Sequence, residues 1–128
     1  MKHTPSKRIE WTQAPTEHFT GDVLFGPLSK QEGALSALAV HFSPRSRTDW
    51  HTHPAGQVLY VTGGAGLVQT DSGETVEISA GDVVHSPAGE VHWHGAAPGS
   101  PMTHLSLTTG GETEWLPRKV TDEEYDRR

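Results

Sequence analysis

The sequence predicts an all-β fold, a sandwich or a barrel. Two observations carry this expectation. Short apolar runs follow one another from His18 to Thr108, separated at close spacing by turns bearing Gly or Pro. Within several of these runs apolar and polar residues alternate, which is the period of a strand. The clearest helix signature lies in the tail.

Residues 1–15 are polar and carry Pro5 and Pro15. They read as an arm whose pairing end is Ile9-Glu10-Trp11. Such an arm orders only by docking, and an apolar triplet with a tryptophan suits a neighbouring subunit. From His18 to Leu28, the residues Phe19, Val23, Leu24 and Phe25 predict one strand, stopped by Gly26-Pro27. Gly33 opens the next segment, 34–42. Alternation places Leu38, Val40 and Phe42 on one face and Ala37, Ala39 and His41 on the other. Its alanines leave helix open as an alternative, but its short length and Val-His-Phe end favour strand. Ser43 to Arg47 reads as a turn.

The run Gln57–Thr62 is apolar on both faces, with Gln57, Leu59 and Val61 on one and Val58 and Tyr60 on the other. Such a strand needs cover on both sides. A barrel interior supplies one cover, and a second sheet, a loop or another subunit supplies the other. Gly63-Gly64-Ala65-Gly66 reads as a tight turn or bulge. It is not a phosphate loop, because no Gly-Lys-Ser/Thr follows. Leu67–Thr70 and Glu74–Ile78 flank Asp71-Ser72-Gly73 as a hairpin. Turns at Ala80-Gly81-Asp82, Pro87–Glu90 and Pro98–Pro101 separate the strands Val83–Ser86, Val91–Gly95 and Met102–Thr108. In the tail, Thr121 and Glu124 have capping-box spacing and Val120 and Tyr125 have staple spacing, which predicts one short helix.

The 128 residues suit a single domain, with an arm (1–15), a barrel core (about 34–108) and a tail (111–128). There are no cysteines, which excludes disulfides and thiolate metal sites. No apolar run is long enough for a transmembrane helix, and the N-terminal residues do not read as a signal peptide, so a cytoplasmic location is expected. Net charge is −6, and Lys and Arg form no stripe that would track phosphates; neither nucleic acid nor membrane is an expected partner. A small-molecule substrate is.

Nine histidines stand out. His3 and His18 read as surface residues, and His41 and His85 as outside any site. His51 and His53 are two apart, so both can face a barrel interior and chelate one ion, with Gln57 as an oxygen donor. His92 and His94 form a second same-face pair. Imidazole suits manganese, iron, cobalt, nickel, copper and zinc alike, so ligand type leaves the metal open.

The spacing His51-x-His53-x3-Gln57-x6-Gly64 resembles the first motif of the cupin superfamily. Gly81-x5-Pro87-x-Gly89-x2-His92 resembles the second. Together they cover roughly residues 34–108. There are departures: Arg45 stands where a glycine normally opens the first motif, Gln57 where glutamate is usual, and Ala96 where asparagine often closes the second. The resemblance implies a small double-stranded β-helix (jelly-roll) barrel, commonly a homodimer or homotetramer, with His51, His53, Gln57 and His92 as ligands of a divalent transition metal. His51-Thr-His-Pro-x-Gly-Gln57, His92-Trp-His-Gly-Ala-Ala-Pro98, Met102-Thr-His104 and the tail Val120-Thr-Asp-Glu-x-Tyr125 are similar to one small-cupin group. That group includes carboxymuconolactone decarboxylase-associated cupins and manganese-dependent (R)-selective hydroxynitrile lyases. It places manganese first, with iron, zinc, nickel or cobalt as alternatives, and His104 as the catalytic base, His94 being second choice.

Three imidazoles and a carboxamide are neutral, so a bound ion keeps its full double charge. That favours Lewis-acid chemistry on a hydroxyl or carbonyl over redox chemistry through the trivalent ion. A lyase acting on cyanohydrins is therefore the first expectation, with a non-haem metal dioxygenase and a non-catalytic ligand-binding cupin as alternatives. Leu38, Val40 and Phe42 are expected to line the pocket for a small or aromatic carbonyl or hydroxy compound. Leu59 and Met102 are expected beside them, and Trp50 and Thr108 near the mouth.

Overall fold

The computed structural model describes residues 1–30 and 35–127. Gly33 and Ala34, the expected start of one strand, lie outside the described residues. The described residues form twelve strands, one α-helix and two single-turn 3-10 helices (Ser6–Arg8 and Thr16–His18): β1 (Thr12–Gln13), β2 (Phe19–Thr20), β3 (Val23–Ser29), β4 (Ser36–Phe42), β5 (Arg47–Thr48), β6 (His51–Thr52), β7 (Gln57–Thr70), β8 (Thr75–Ser79), β9 (Val83–Ser86), β10 (His92–Ala96), β11 (Met102–Thr108), β12 (Glu114–Trp115) and α1 (Asp122–Asp126).

All pairings are antiparallel, and the strands close into a double-stranded β-helix of two facing sheets. The first sheet runs β1-β3-β4-β11-β7-β9. The second joins the far half of β7 to β8 and β10, and β10 to β5 and β6, with β2 and β12 at the margins. β7 belongs to both. Its glycines were expected to turn or bulge; the ladder bulges there, and one 14-residue strand bends between the sheets instead of ending in a turn. Gly64 has φ +72°, and a Cβ there would collide with the Pro101 carbonyl. The ladder slips by one residue beside it, where Thr103 faces Gly63 but His104 faces Val61.

Other strands differ from expectation in informative ways. His18–Leu28 is not one strand. It breaks at Gly21-Asp22, where the Asp22 amide donates to Ser46 Oγ at 3.0 Å, so β2 joins one sheet and β3 the other. β3 then runs through Pro27 rather than stopping there. Only Leu24 and Phe25 of β3 are paired to β1, so Pro27 sits beside an open edge, the place a sheet tolerates proline. The arm pairs at Thr12–Gln13, just after the expected triplet, and against this chain's own β3. The segment 36–42 is a strand, not a helix.

Two apolar clusters hold the sheets. Phe19, Val23, Val40, Phe42, Leu59, Val61 and Met102 fill the interior between them. Trp50, Leu67, Trp93, Val120 and Tyr125 pack the tail onto the outside of the second sheet. The expected capping box is present: Thr121 Oγ1 accepts from the Glu124 amide and the Glu124 carboxylate accepts from the Thr121 amide, both at 3.1 Å. Val120 and Tyr125 are buried together. The Tyr125 hydroxyl donates to the Ala96 carbonyl at 2.6 Å. Arg45 and Arg47 lie over the Tyr125 ring, 4.6 and 4.8 Å from its centre. Arg47 is itself buried and donates to the Val120 carbonyl and the Asp122 carboxylate.

The Tyr125 bond ties the tail to the end of β10. Tyr125→Phe leaves a buried carbonyl short of a donor and is expected to cost about 1–2 kcal/mol. Urea unfolding should show a lower midpoint with an unchanged slope.

Candidate metal centre

Register brings the two histidine motifs together. His51 on β6 stands directly opposite His92 on β10. The turn after His53 then returns the chain to Gln57 at the head of β7. That turn needs Gly56, whose φ is +85° and whose missing Cβ clears the Ser86 carbonyl. The ring nitrogens of His51, His53 and His92 lie within 4.8 Å of one another, and all three residues are buried.

Backbone carbonyls fix which nitrogen of each ring points inward. A carbonyl only accepts, so His51 Nδ1 must donate to the Asp49 carbonyl (2.8 Å) and His92 Nδ1 to that of Glu90 (2.9 Å). In the neutral rings the lone pairs are then on Nε2. His53 Nε2 is buried and has no hydrogen-bond partner. Gln57 donates its Nε2 to Ser106 Oγ at 2.7 Å, which turns its Oε1 toward His92 Nε2 at 3.2 Å. Two acceptors thus face each other with no proton between them. Converging lone pairs of this kind fit a cation, and the donor set of three imidazoles and an amide oxygen suits a first-row divalent ion.

Burial pushes all these rings away from the charged form. His53 is lowered to about 4, by burial first and then by neighbouring His92. His92 is lowered by burial, and His51 well below the usual histidine range by burial and by His92. His94 and His104 form a further pair, with His104 Nε2 and His94 Nδ1 3.0 Å apart. Burial takes His104 to about 4, and burial with His104 nearby takes His94 well below its usual range. The outer atoms of this pair, His94 Nε2 and His104 Nδ1, are buried without partners.

The ligand cluster opens on a cavity of about 940 Å³ between the sheets. His51, His53, Gln57, His94 and His104 line it, with Leu38, Val40 and Thr108 among the walls. Phe42 was expected on that wall but is fully buried in the core cluster behind it, together with Leu59 and Met102, which were expected beside the wall residues. Phe42 supports His104, with ring centres 5.3 Å apart. Trp50 is not at the mouth. Its ring packs on the opposite side of the second sheet with Trp93 and Tyr125, under the Arg118 guanidinium. Trp50 lies at a bend before β6, and its backbone bonds to Leu116 and Arg118 hold it on the tail's side of the sheet.

Several wall residues were not anticipated. Ser106 lies between His104 and Thr108 on the same face of β11, and alternation alone would have found it. His18 is not a free surface residue: it stacks on Trp115 at 4.4 Å and lines the cavity. Trp115 pairs with His51 in register, so the tail forms part of the wall beside the metal ligands. His41 and His85 point away, as expected; His41 Nδ1 lies 2.7 Å from Thr103 Oγ1, and His85 is exposed.

Comparison with known proteins agrees with this geometry. The cupin domain family matches residues 38–108. The chain belongs to the cupin superfamily. It is 44% identical over 120 residues to an (R)-mandelonitrile lyase of Granulicella tundricola, covering 90% of this chain and 91% of that one. A cupin-like protein of Thermotoga maritima superposes with a TM-score of 0.85 at 39% identity, covering 89% of this chain and 90% of that one. The polyketide cyclase RemF of Streptomyces resistomycificus superposes at 0.78 with 20% identity, covering 98% and 91%, a likeness of fold alone.

With five rings held below the usual 6.5, the unfolded chain binds more protons than the folded one as pH falls from 6.5 toward 4. Metal-stripped protein is therefore expected to lose stability through that window. The loss by pH 5 is on the order of 2 kcal/mol for each of His53 and His104. Urea midpoints at pH 7.5 and 5 check this; equal midpoints would mean the rings are not held neutral.

Proposed function

We propose that this cupin is a metal-dependent hydroxynitrile lyase, cleaving or forming cyanohydrins of small or aromatic carbonyl compounds. The observation that carries the reading is the placement of a partnerless His94–His104 pair in the same cavity as a neutral three-histidine, one-glutamine cluster. The 44% identity to an (R)-mandelonitrile lyase supports it. His51, His53, Gln57 and His92 would hold the metal, manganese by preference. When bound, it supplies Lewis acidity toward the substrate hydroxyl, undiminished by any anionic ligand.

The chain's own residues do the rest. Each neutral imidazole has one proton, and one of the two facing nitrogens donates to the other. The pair's two outer nitrogens therefore consist of one bare and one protonated. The bare nitrogen accepts the hydroxyl proton of the cyanohydrin. The carbon–cyanide bond breaks as the carbonyl forms, and the electron pair leaves with cyanide. The proton returns to cyanide from the histidine pair, giving hydrogen cyanide and an aldehyde or ketone. A low affinity for protons keeps the bare nitrogen available at neutral pH. Phe19, Phe25, Leu38 and Trp115 surround the cavity with apolar surface that suits an aromatic substituent and excludes water.

Metal-depleted and manganese-reconstituted protein should differ in benzaldehyde release from mandelonitrile. His104→Ala is expected to reduce the reconstituted rate by about 10²–10⁴-fold with metal content unchanged. No metal-dependent release would overturn the proposal. Gln57→Glu is expected to retain the metal and slow the reaction, because an anionic ligand weakens the Lewis acid. Elemental analysis beside the assay separates the two effects.

A further inference from the structure

We propose that His18 is a specificity-determining residue, and that the substrate is an aryl cyanohydrin, or the carbonyl compound it yields, with a hydroxyl on its ring. The cyanohydrin end of this inference rests on the lyase reading. The hydroxyl end stands on the wall of the cavity itself.

That wall is aromatic. Trp115 is set beside the ligand cluster by its register with His51, their ring centres 4.8 Å apart. The His18 imidazole lies flat on Trp115, at 4.4 Å with 2° between the planes. Phe19 meets Trp115 edge-on at 5.6 Å, and Phe25 meets Phe19 the same way at 5.3 Å. All four residues line the cavity. A substrate held by its cyanohydrin hydroxyl beside His51 and His53 lays its ring along these faces and edges, the arrangement aromatic rings prefer.

His18 is the polar member of this surface. Its side chain is 30% exposed, and among the described residues its ring makes no hydrogen bond. Other polar side chains of the wall are engaged: Ser106 with Gln57, Thr113 with His53 and Thr48 with the Asp49 carbonyl. Stacking occupies a face of the imidazole and leaves its two nitrogens, which lie in the ring plane, free to bond. The backbone fixes where they are. The His18 carbonyl accepts from the Asp49 amide at 2.9 Å. Lys119, from the tail, donates to the carbonyls of Thr16 and Glu17 at 3.3 and 2.9 Å, and its ammonium lies 3.2 Å from the Asp49 carboxylate. Asp49 also orients His51 through its carbonyl. One clamp thus holds a metal ligand and the His18 ring in a fixed relation, which is the preorganisation a selective contact needs.

Charge and hydrogen bonding select the substituent. A neutral imidazole offers one donor and one acceptor, and a hydroxyl matches both. Glu17 places a carboxylate 3.7 Å from His18 Nε2. Lys30 and Glu112, the basic and acidic residues of the lining, are both exposed and opposite in sign. An anionic ring substituent at His18 would be repelled by Glu17; a hydroxyl is not.

Calorimetry with stable analogues tests this. Meta- and para-hydroxybenzyl alcohol carry the ring hydroxyl, with an alcohol in place of the cyanohydrin hydroxyl. The corresponding methylbenzyl alcohols put a methyl where the ring hydroxyl stands. The better-bound hydroxy isomer is expected to bind the manganese-loaded wild type more tightly than its methyl counterpart. His18→Phe keeps a flat ring on Trp115 and is expected to shift the ratio of the two dissociation constants about 10-fold toward the methyl compound, the size of one neutral hydrogen bond. A wild type without the preference would overturn the proposal, as would a folded His18→Phe protein that keeps the wild-type ratio. Benzaldehyde release from mandelonitrile by the same samples reports separately on the lyase reading. A protein that prefers the hydroxyl compound but releases no benzaldehyde sinks that reading and leaves the His18 subsite standing.

Discussion

The site turns on four buried lone pairs brought together, those of His51, His53, His92 and Gln57. An imidazole nitrogen or amide oxygen buried without a donor costs about 1–3 kcal/mol, and His53 Nε2 is one such atom. His92 Nε2 and Gln57 Oε1 add an acceptor facing an acceptor. The surrounding structure maintains this unfavourable arrangement deliberately. Asp49 and Glu90 present carbonyls that turn two rings inward, and Ser106 turns the Gln57 amide. Each contact satisfies one buried donor and leaves the opposite acceptor of the same side chain aimed inward. Each is what orientation of a metal ligand requires.

The same burial that makes the site costly also makes it chemically selective. Four of the five rings line one cavity and His92 packs against them, and among the described residues no carboxylate is part of the three-histidine cluster. Burial is the main cause at every ring, and at His51, His53 and His94 neighbouring rings add to it, so positive charge is excluded from the rings. Gln57 extends this logic. A glutamate there would neutralise part of the ion's charge and raise the proton affinity of the adjoining rings. The carboxamide keeps the geometry of an oxygen ligand without either effect.

Most of the site was legible in the sequence because its signals are local. The His-x-His pairs declare a shared face, and the Thr121/Glu124 box declares a helix start, within a few residues each. What the sequence concealed was set by distant contacts. Trp50 looked like a neighbour of the site, yet its backbone bonds to Leu116 and Arg118 hold it against the tail. Phe42, Leu59 and Met102 share the cavity-facing side of their strands with true wall residues, but they lie deeper in the core. His18 and Trp115 come from opposite ends of the chain and meet only because β12 pairs with β6. The glycines at 63–66 gave a bend in one strand because β7 must serve two sheets.

Arg45 shows how a departure from the family pattern is compensated. Its φ of +67° lies in the left-handed region, where a glycine would be unstrained and a side chain costs about 1 kcal/mol or more. The side chain offsets that strain outside the backbone. Its guanidinium makes a two-pronged contact with Asp126 at 3.0 and 3.3 Å and covers the Tyr125 ring. Tyr125 in turn bonds Ala96, which occupies the position where the family often has asparagine. Two departures are therefore joined through one aromatic ring. Between them lies the start of the strand pair that sets His51 opposite His92. The tail is thus a structural counterpart of the two departures.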